Sequence, residues 1–127
     1  MLTDLMEGGK KKADQYWPDE NERMFDLDAG VKLEFISSSY TWTYYERKIR
    51  INIPGLSPRE VTQIQTKRWA DLTAPDETNI LRDMVSRARE LSMTDAAPIL
   101  VHCSAGVGRT GTFVALYKLI TDYENKK

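Results

Sequence analysis

A mixed α/β fold follows from three features of this 127-residue chain. Ile49, Ile51 and Ile53 alternate with Lys48, Arg50 and Asn52, the period-two pattern of a strand with one buried face. Ile80, Leu81, Met84, Val85, Ala88 and Leu91 recur at the spacing of one helix face. The wholly apolar Ile99-Leu100-Val101 then runs through a glycine-rich stretch into a second helical pattern.

The elements read in order as follows. Val31, Leu33 and Phe35 alternate with Lys32 and Glu34 and predict a strand, and Ser37 to Ser39 reads as a turn. Alternation resumes at Tyr40, Trp42 and Tyr44 and continues into the isoleucine strand, which Pro54-Gly55 ends. The aromatic run from Tyr40 to Tyr45 reads as sheet packing. Val61 to Lys67 predicts a further short strand. A helix is expected from Asp76 to Leu91, with Pro75 just before its start. Ile99 to Val101 reads as a short strand apolar on both faces, as in the middle of a sheet. Thr110 to Glu124 predicts the second helix, with Phe113, Leu116, Ile120 and Tyr123 inward. No repeat, low-complexity tract or linker interrupts the chain.

The chemistry concentrates at the last junction. Cys103 is the only cysteine and His102, just before it, the only histidine. A thiol attacks only as the thiolate, which inward-pointing backbone N–H groups and the positive end of a helix dipole favour. Those same groups, from Ser104, Ala105, Gly106, Val107 and Gly108, would cradle the oxygens of a phosphate ester. Gly106, Gly108 and Gly111 allow a tight curl with no side chain between amide and ligand. Arg109 adds a planar fork for two phosphate oxygens and for the charge that spreads in the transition state. The Thr110 hydroxyl is placed to bond the sulfur and help it leave. Gly106 to Gly111 also spells G-x-G-x-x-G, the turn of a dinucleotide site. That unit requires a second strand ending in an acidic residue, which does not follow before Lys127, and it explains neither Cys103 nor Arg109.

His102 to Gly111 resembles the signature loop of the protein tyrosine phosphatases, His-Cys-x5-Arg-Ser/Thr-Gly, in its phosphotyrosine-specific form. Gln15-Tyr16-Trp17-Pro18 is similar to a marker of that branch. Trp69-Ala70-Asp71-Leu72-Thr73-Ala74-Pro75 looks like its mobile acid loop, with Ala70, Leu72 and Thr73 in place of the usual Pro, His and Gly. The resemblance implies phosphotyrosine hydrolysis through a phosphorylated Cys103, with Asp71 protonating the leaving oxygen and then activating water. It implies that Glu7 pairs with Arg109, that Lys12 meets Asp71 and that Tyr16 hydrogen-bonds His102; Trp69 flanks the acid loop. The implied fold is a twisted mixed sheet flanked by helices, with the signature loop between a central strand and a helix. Met1-Leu2-Thr3 resembles the end of the strand before the supporting loop, so residues 1–127 are expected to be a single partial catalytic domain lacking the usual N- and C-terminal parts. The alternative expectation is a truncated relative, inactive or binding phosphotyrosine as an interaction module.

Composition agrees with one globular unit: 41% hydrophobic, 29% charged, net charge -1. Such a balance gives no support for nucleic-acid binding, and the short cluster Lys10 to Lys12 does not change that. No run reaches the roughly 18 apolar residues of a membrane span, and the first residues do not read as a signal peptide. One cysteine excludes an intrachain disulfide, and a catalytic thiol implies a reducing compartment. The expected location is cytoplasmic, or the cytoplasmic portion of a receptor-type protein. The expected partner is a phosphotyrosine-containing protein, and the resemblance implies neither metal nor cofactor.

Overall fold

The computed structural model describes residues 1–69 and 78–126. Asp71, Pro75 and Asp76 lie outside the described residues, and with them the expected acid and the expected start of the first helix.

The chain opens with a two-stranded hairpin, β1 (Met6–Glu7) and β2 (Lys10–Lys11). Its tip, Gly8 and Gly9, holds φ of 55° and 78°. A two-residue turn with both central residues in the left-handed region is the form that matches strand twist, and glycine enters it without steric cost. A four-stranded antiparallel sheet follows, in the order β3 (Met24–Asp26), β4 (Lys32–Tyr40), β5 (Tyr45–Asn52) and β6 (Arg59–Gln65).

The long hairpin corrects two expectations. Ser37 to Ser39 is not a turn; the serines pair with Lys48, Arg47 and Glu46 and carry β4 on past a bulge between Phe35 and Ser37. Ladder bonds to β5 override the local preference of serine for turns. The reversal comes instead at Thr41 to Tyr44, where strand alternation was expected. There the Thr41 N–H donates to the Tyr44 carbonyl at 2.9 Å, and the Tyr44 N–H donates to the Thr41 hydroxyl at 3.1 Å. Tyr40 and Tyr45 close the hairpin as opposed residues with ring centroids 4.5 Å apart. The last strand, β6, is also set two residues earlier than its alternation suggested.

Met1–Thr3 turns this antiparallel sheet into a mixed one. The Met1 amino group donates to the Ile64 carbonyl at 2.7 Å, and the Thr66 N–H donates to the Met1 carbonyl at 3.1 Å. Bonds to residues on either side of Gln65 are the signature of a parallel pair. On its other side Leu2 donates to the His102 carbonyl at 2.9 Å. The first three residues thus join the sheet to the segment that carries Cys103.

Ile99–Val101 departs from expectation. Among the described residues it forms no strand ladder, and Leu100 is 87% exposed. Apolar composition favours a strand between two neighbours but supplies neither. The contact to Leu2 begins one residue later, at His102.

Two helices pack beside the sheet: α1 (Thr78–Thr94) and α2 (Gly108–Asn125). Ile80, Leu81, Met84, Val85 and Ala88 are buried on one face of α1, in a cluster with Leu2, Trp69, Cys103 and Phe113. Each fully buried aliphatic side chain of this kind contributes about 1.5–3 kcal/mol. Arg87 on α1 forks onto Glu46 of β5, with N–O distances of 2.6 and 2.9 Å, and holds that carboxyl below its usual range by its hydrogen bonds. From α2, Phe113, Leu116 and Ile120 face the core, together with Tyr117, which was not expected there. Tyr123 is 65% exposed rather than inward, and the α2 residues packed on the cluster end at Ile120.

Candidate active site

Cys103 is buried at the foot of the loop between the extended segment and α2. Its sulfur accepts hydrogen bonds from the Gly106 N–H and the Thr110 hydroxyl, both at 3.2 Å. Burial pushes the thiol up. The bonds from the Thr110 hydroxyl and from the N–H groups of Thr110, Gly106 and Val107 more than offset it, and the thiol lies below its ordinary 9.0. The loop is therefore biased toward the thiolate.

The remainder of the loop is open. Ser104, Ala105, Gly106, Val107 and Gly108 are exposed, and α2 starts with no side-chain cap. Uncapped N–H groups at a helix start carry partial positive charge and suit an anion. Gly106 alone among the loop glycines holds a positive φ, 78°, while a Cβ at Gly108 or Gly111 would meet nothing within 4 Å. The curl therefore depends on one glycine rather than three.

Arg109 is 2% exposed. Its Nη1 donates to Glu7 Oε1 at 2.8 Å and to the Trp69 carbonyl at 2.7 Å. Thr3, fully buried, donates its hydroxyl to the same Glu7 oxygen at 2.7 Å. The β1–β2 hairpin, the segment that follows β6 and α2 are thereby tied at one guanidinium. Trp69 contributes through its backbone, a contact its side chain gives no hint of. Lys12 sits just after the hairpin, its N–H bonded to the Leu5 carbonyl at 2.8 Å; its expected partner Asp71 lies outside the described residues.

Behind the loop, Tyr16 Oη lies 2.7 Å from His102 Nε2. Burial lowers the imidazole from 6.5 and keeps it neutral at physiological pH. Gln63 donates to the same tyrosine oxygen at 2.9 Å, and Arg47 donates to Gln63 at 2.9 Å and to Gln65 at 2.8 Å. Sequence reading missed these three residues. The signal was present: Gln63 and Gln65 alternate on one face of β6, and Arg47 stands opposite Gln63 in register.

Fold and site together describe an α/β protein with a cysteine biased toward the thiolate in a loop at an uncapped helix start. The chain belongs to the protein-tyrosine phosphatase family, whose model matches residues 1–127. It is 34% identical over 129 residues to human receptor-type tyrosine-protein phosphatase eta, covering 99% of this chain and 9% of that protein. It is 34% identical over 134 residues to Drosophila melanogaster tyrosine-protein phosphatase 69D, covering 99% and 9%. A solved Trypanosoma brucei protein tyrosine phosphatase superposes with a TM-score of 0.88 at 32% identity, over 98% of this chain and 45% of that one. The chain thus spans about a tenth of the curated relatives it matches and under half of the solved one.

Proposed function

We propose that this chain carries the catalytic core of a phosphotyrosine phosphatase and hydrolyses the ester through a cysteinyl-phosphate. The observation that carries the reading is the sulfur of Cys103, bonded by Gly106 and Thr110 at the mouth of an uncapped helix. The Cys103 thiolate attacks phosphorus as the P–O bond to tyrosine breaks. Asp71, assigned on the family pattern, gives its proton to the leaving phenolate. The loop N–H groups and Arg109 neutralise the charge on the transferring oxygens. A water then attacks the phosphocysteine and gives a proton to Asp71. The P–S bond breaks, and the returning thiolate is met by the Thr110 hydroxyl. Glu7 holds Arg109 in place. The substrate class is a phosphotyrosine-containing protein, and the reading places the domain on the cytoplasmic side, where a thiolate stays reduced. Among the described residues no helix is long and apolar enough to cross a membrane.

The test is vanadate-sensitive hydrolysis of a small aryl phosphate by the purified chain beside Cys103→Ser. Turnover abolished by the substitution is expected. A stoichiometric burst without turnover would limit the chain to the first chemical step. A folded chain that neither turns over nor becomes phosphorylated would overturn the reading and favour a binding module.

A further inference from the structure

Arg47 is a buried cation, 8% exposed, that makes no ion pair among the described residues. Its guanidinium lies over the ring of Trp17, 4.6 Å from the centroid, and near that of Tyr45, at 5.2 Å. A desolvated charge in such a place is costly unless its donors are used, and here Nη1 reaches Gln63 Oε1 and Gln65 Oε1.

Donor and acceptor rules then dictate the chain beyond. Arginine only donates, so the Gln63 atom that faces it is the carbonyl oxygen. The Gln63 amide nitrogen must therefore face Tyr16, at 2.9 Å, and the tyrosine oxygen accepts from it. The single Tyr16 proton is left for His102 Nε2 at 2.7 Å, a far better acceptor than the Met1 sulfur at 3.8 Å. Nε2 accepts, so in the neutral ring Nδ1 carries the hydrogen. Nδ1 lies 3.2 Å from the Cys103 carbonyl, which can only accept. The two ends of the relay agree without adjustment.

We propose that Arg47 is a positioning residue which, through Gln63 and Tyr16, locks His102 in its Nδ1–H tautomer and so pins the Cys103 carbonyl. In a trans peptide the N–H points opposite to the C=O. Holding the Cys103 carbonyl against the imidazole sends the Ser104 N–H away from the ring, as one of the loop donors assigned to phosphate. The inference rests on the proposed function for its catalytic meaning, but its test needs no turnover.

His102 is the only histidine, so a chain labelled with 15N-histidine gives one imidazole in long-range nitrogen–proton spectra. At neutral pH, Nδ1 is expected to be protonated and Nε2 unprotonated. Gln63→Glu replaces the donor facing Tyr16 with an acceptor. The tyrosine proton then turns to the carboxylate and its oxygen accepts from the imidazole. The Nε2 resonance should move to the protonated position, as the other neutral tautomer or as imidazolium. Arg47→Met keeps a long stacked side chain but frees the Gln63 amide to flip, and should populate Nε2–H; Arg47→Lys, which still donates, should not. Protonated Nε2 in the unsubstituted chain would overturn the proposal. So would a folded Arg47→Met or Gln63→Glu with an unchanged tautomer. An inactive chain that shows the Nδ1–H lock would count against the hydrolase reading alone.

Discussion

Residues 99–101 and 102–110 adjoin in sequence and differ in condition. In the second stretch Cys103 is 7% exposed and Arg109 2%; Arg109 is bonded to Glu7 and the His102 carbonyl to Leu2, both far away in the chain. In the first, Leu100 is 87% exposed and borders an open, mainly apolar cleft of about 640 Å³. The difference separates two kinds of stabilisation. A polar site is assembled by directional bonds, and Glu7, Trp69 and Thr3 all lie within residues 1–69 and supply them. An apolar strand is stabilised by burial and by a ladder, and both require a neighbouring strand along its whole length. The same chain therefore buries and bonds Cys103 and Arg109 more completely than Leu100 in the run that leads into them.

Three substitutions probe that contrast. The largest effect is expected from Glu7→Ala, which removes the Glu7 carboxylate from a guanidinium that is 2% exposed. Removing one partner of a buried pair costs about 3–5 kcal/mol. The urea midpoint should drop accordingly, and a loss below about 1 kcal/mol would mean that the remaining contacts of Arg109, the Trp69 carbonyl among them, suffice to hold it.

Thr110→Ala tests the sulfur rather than the arginine. Hydrogen bonds to charged groups are worth about 1.5–3 kcal/mol, so losing the Thr110 hydroxyl should raise the thiol toward its ordinary value. Alkylation of Cys103 by iodoacetamide, followed against pH, reads this directly, because only the thiolate reacts. The unsubstituted chain should stay reactive until pH falls below its lowered pKa, and the variant should begin to lose reactivity at higher pH. The sign for stability follows. A depressed folded-state pKa contributes stability fully present above the ordinary 9.0 and lost as pH falls through the folded value. The variant should lose part of that contribution. Superimposed profiles would remove Thr110 from thiolate stabilisation.

The smallest effect is expected from Leu100→Ser. An exposed side chain away from packing contacts changes stability by no more than about 0.5 kcal/mol. A cost above 2 kcal/mol in thermal or urea unfolding would show that Leu100 is covered in solution.

Much of the architecture was legible because it rests on local pattern. The isoleucine alternation placed β5, the apolar spacing placed the buried face of α1, and the Cys103 to Arg109 spacing placed the loop. The hairpin tip was misplaced because local turn preference at three serines pointed the wrong way. Only the cross-strand ladder, which keeps Ser37 to Ser39 paired with β5, moves the reversal to Thr41. Gln63 and Arg47 carried a readable signal, two inward polar residues opposite a cation, but its meaning depends on Tyr16 and His102, which lie far off in sequence.

By itself the sequence determined the periodicities and the spacing of the residues to which the proposed chemistry is assigned. A single cysteine before a glycine-rich turn and an arginine is a property of adjacent residues, and backbone geometry converts that spacing into a loop. The tertiary structure realised the Glu7 and Tyr16 contacts that the family resemblance implied, and it alone added the Trp69 carbonyl on Arg109 and the Gln63 and Arg47 side chains behind Tyr16. The Glu7 to Arg109 contact spans 102 positions and the Tyr16 to His102 contact 86. Contacts of that separation follow from how Met1–Thr3, β6 and α2 are brought side by side. The donor and acceptor rules that select a tautomer act only once those atoms are within hydrogen-bond reach.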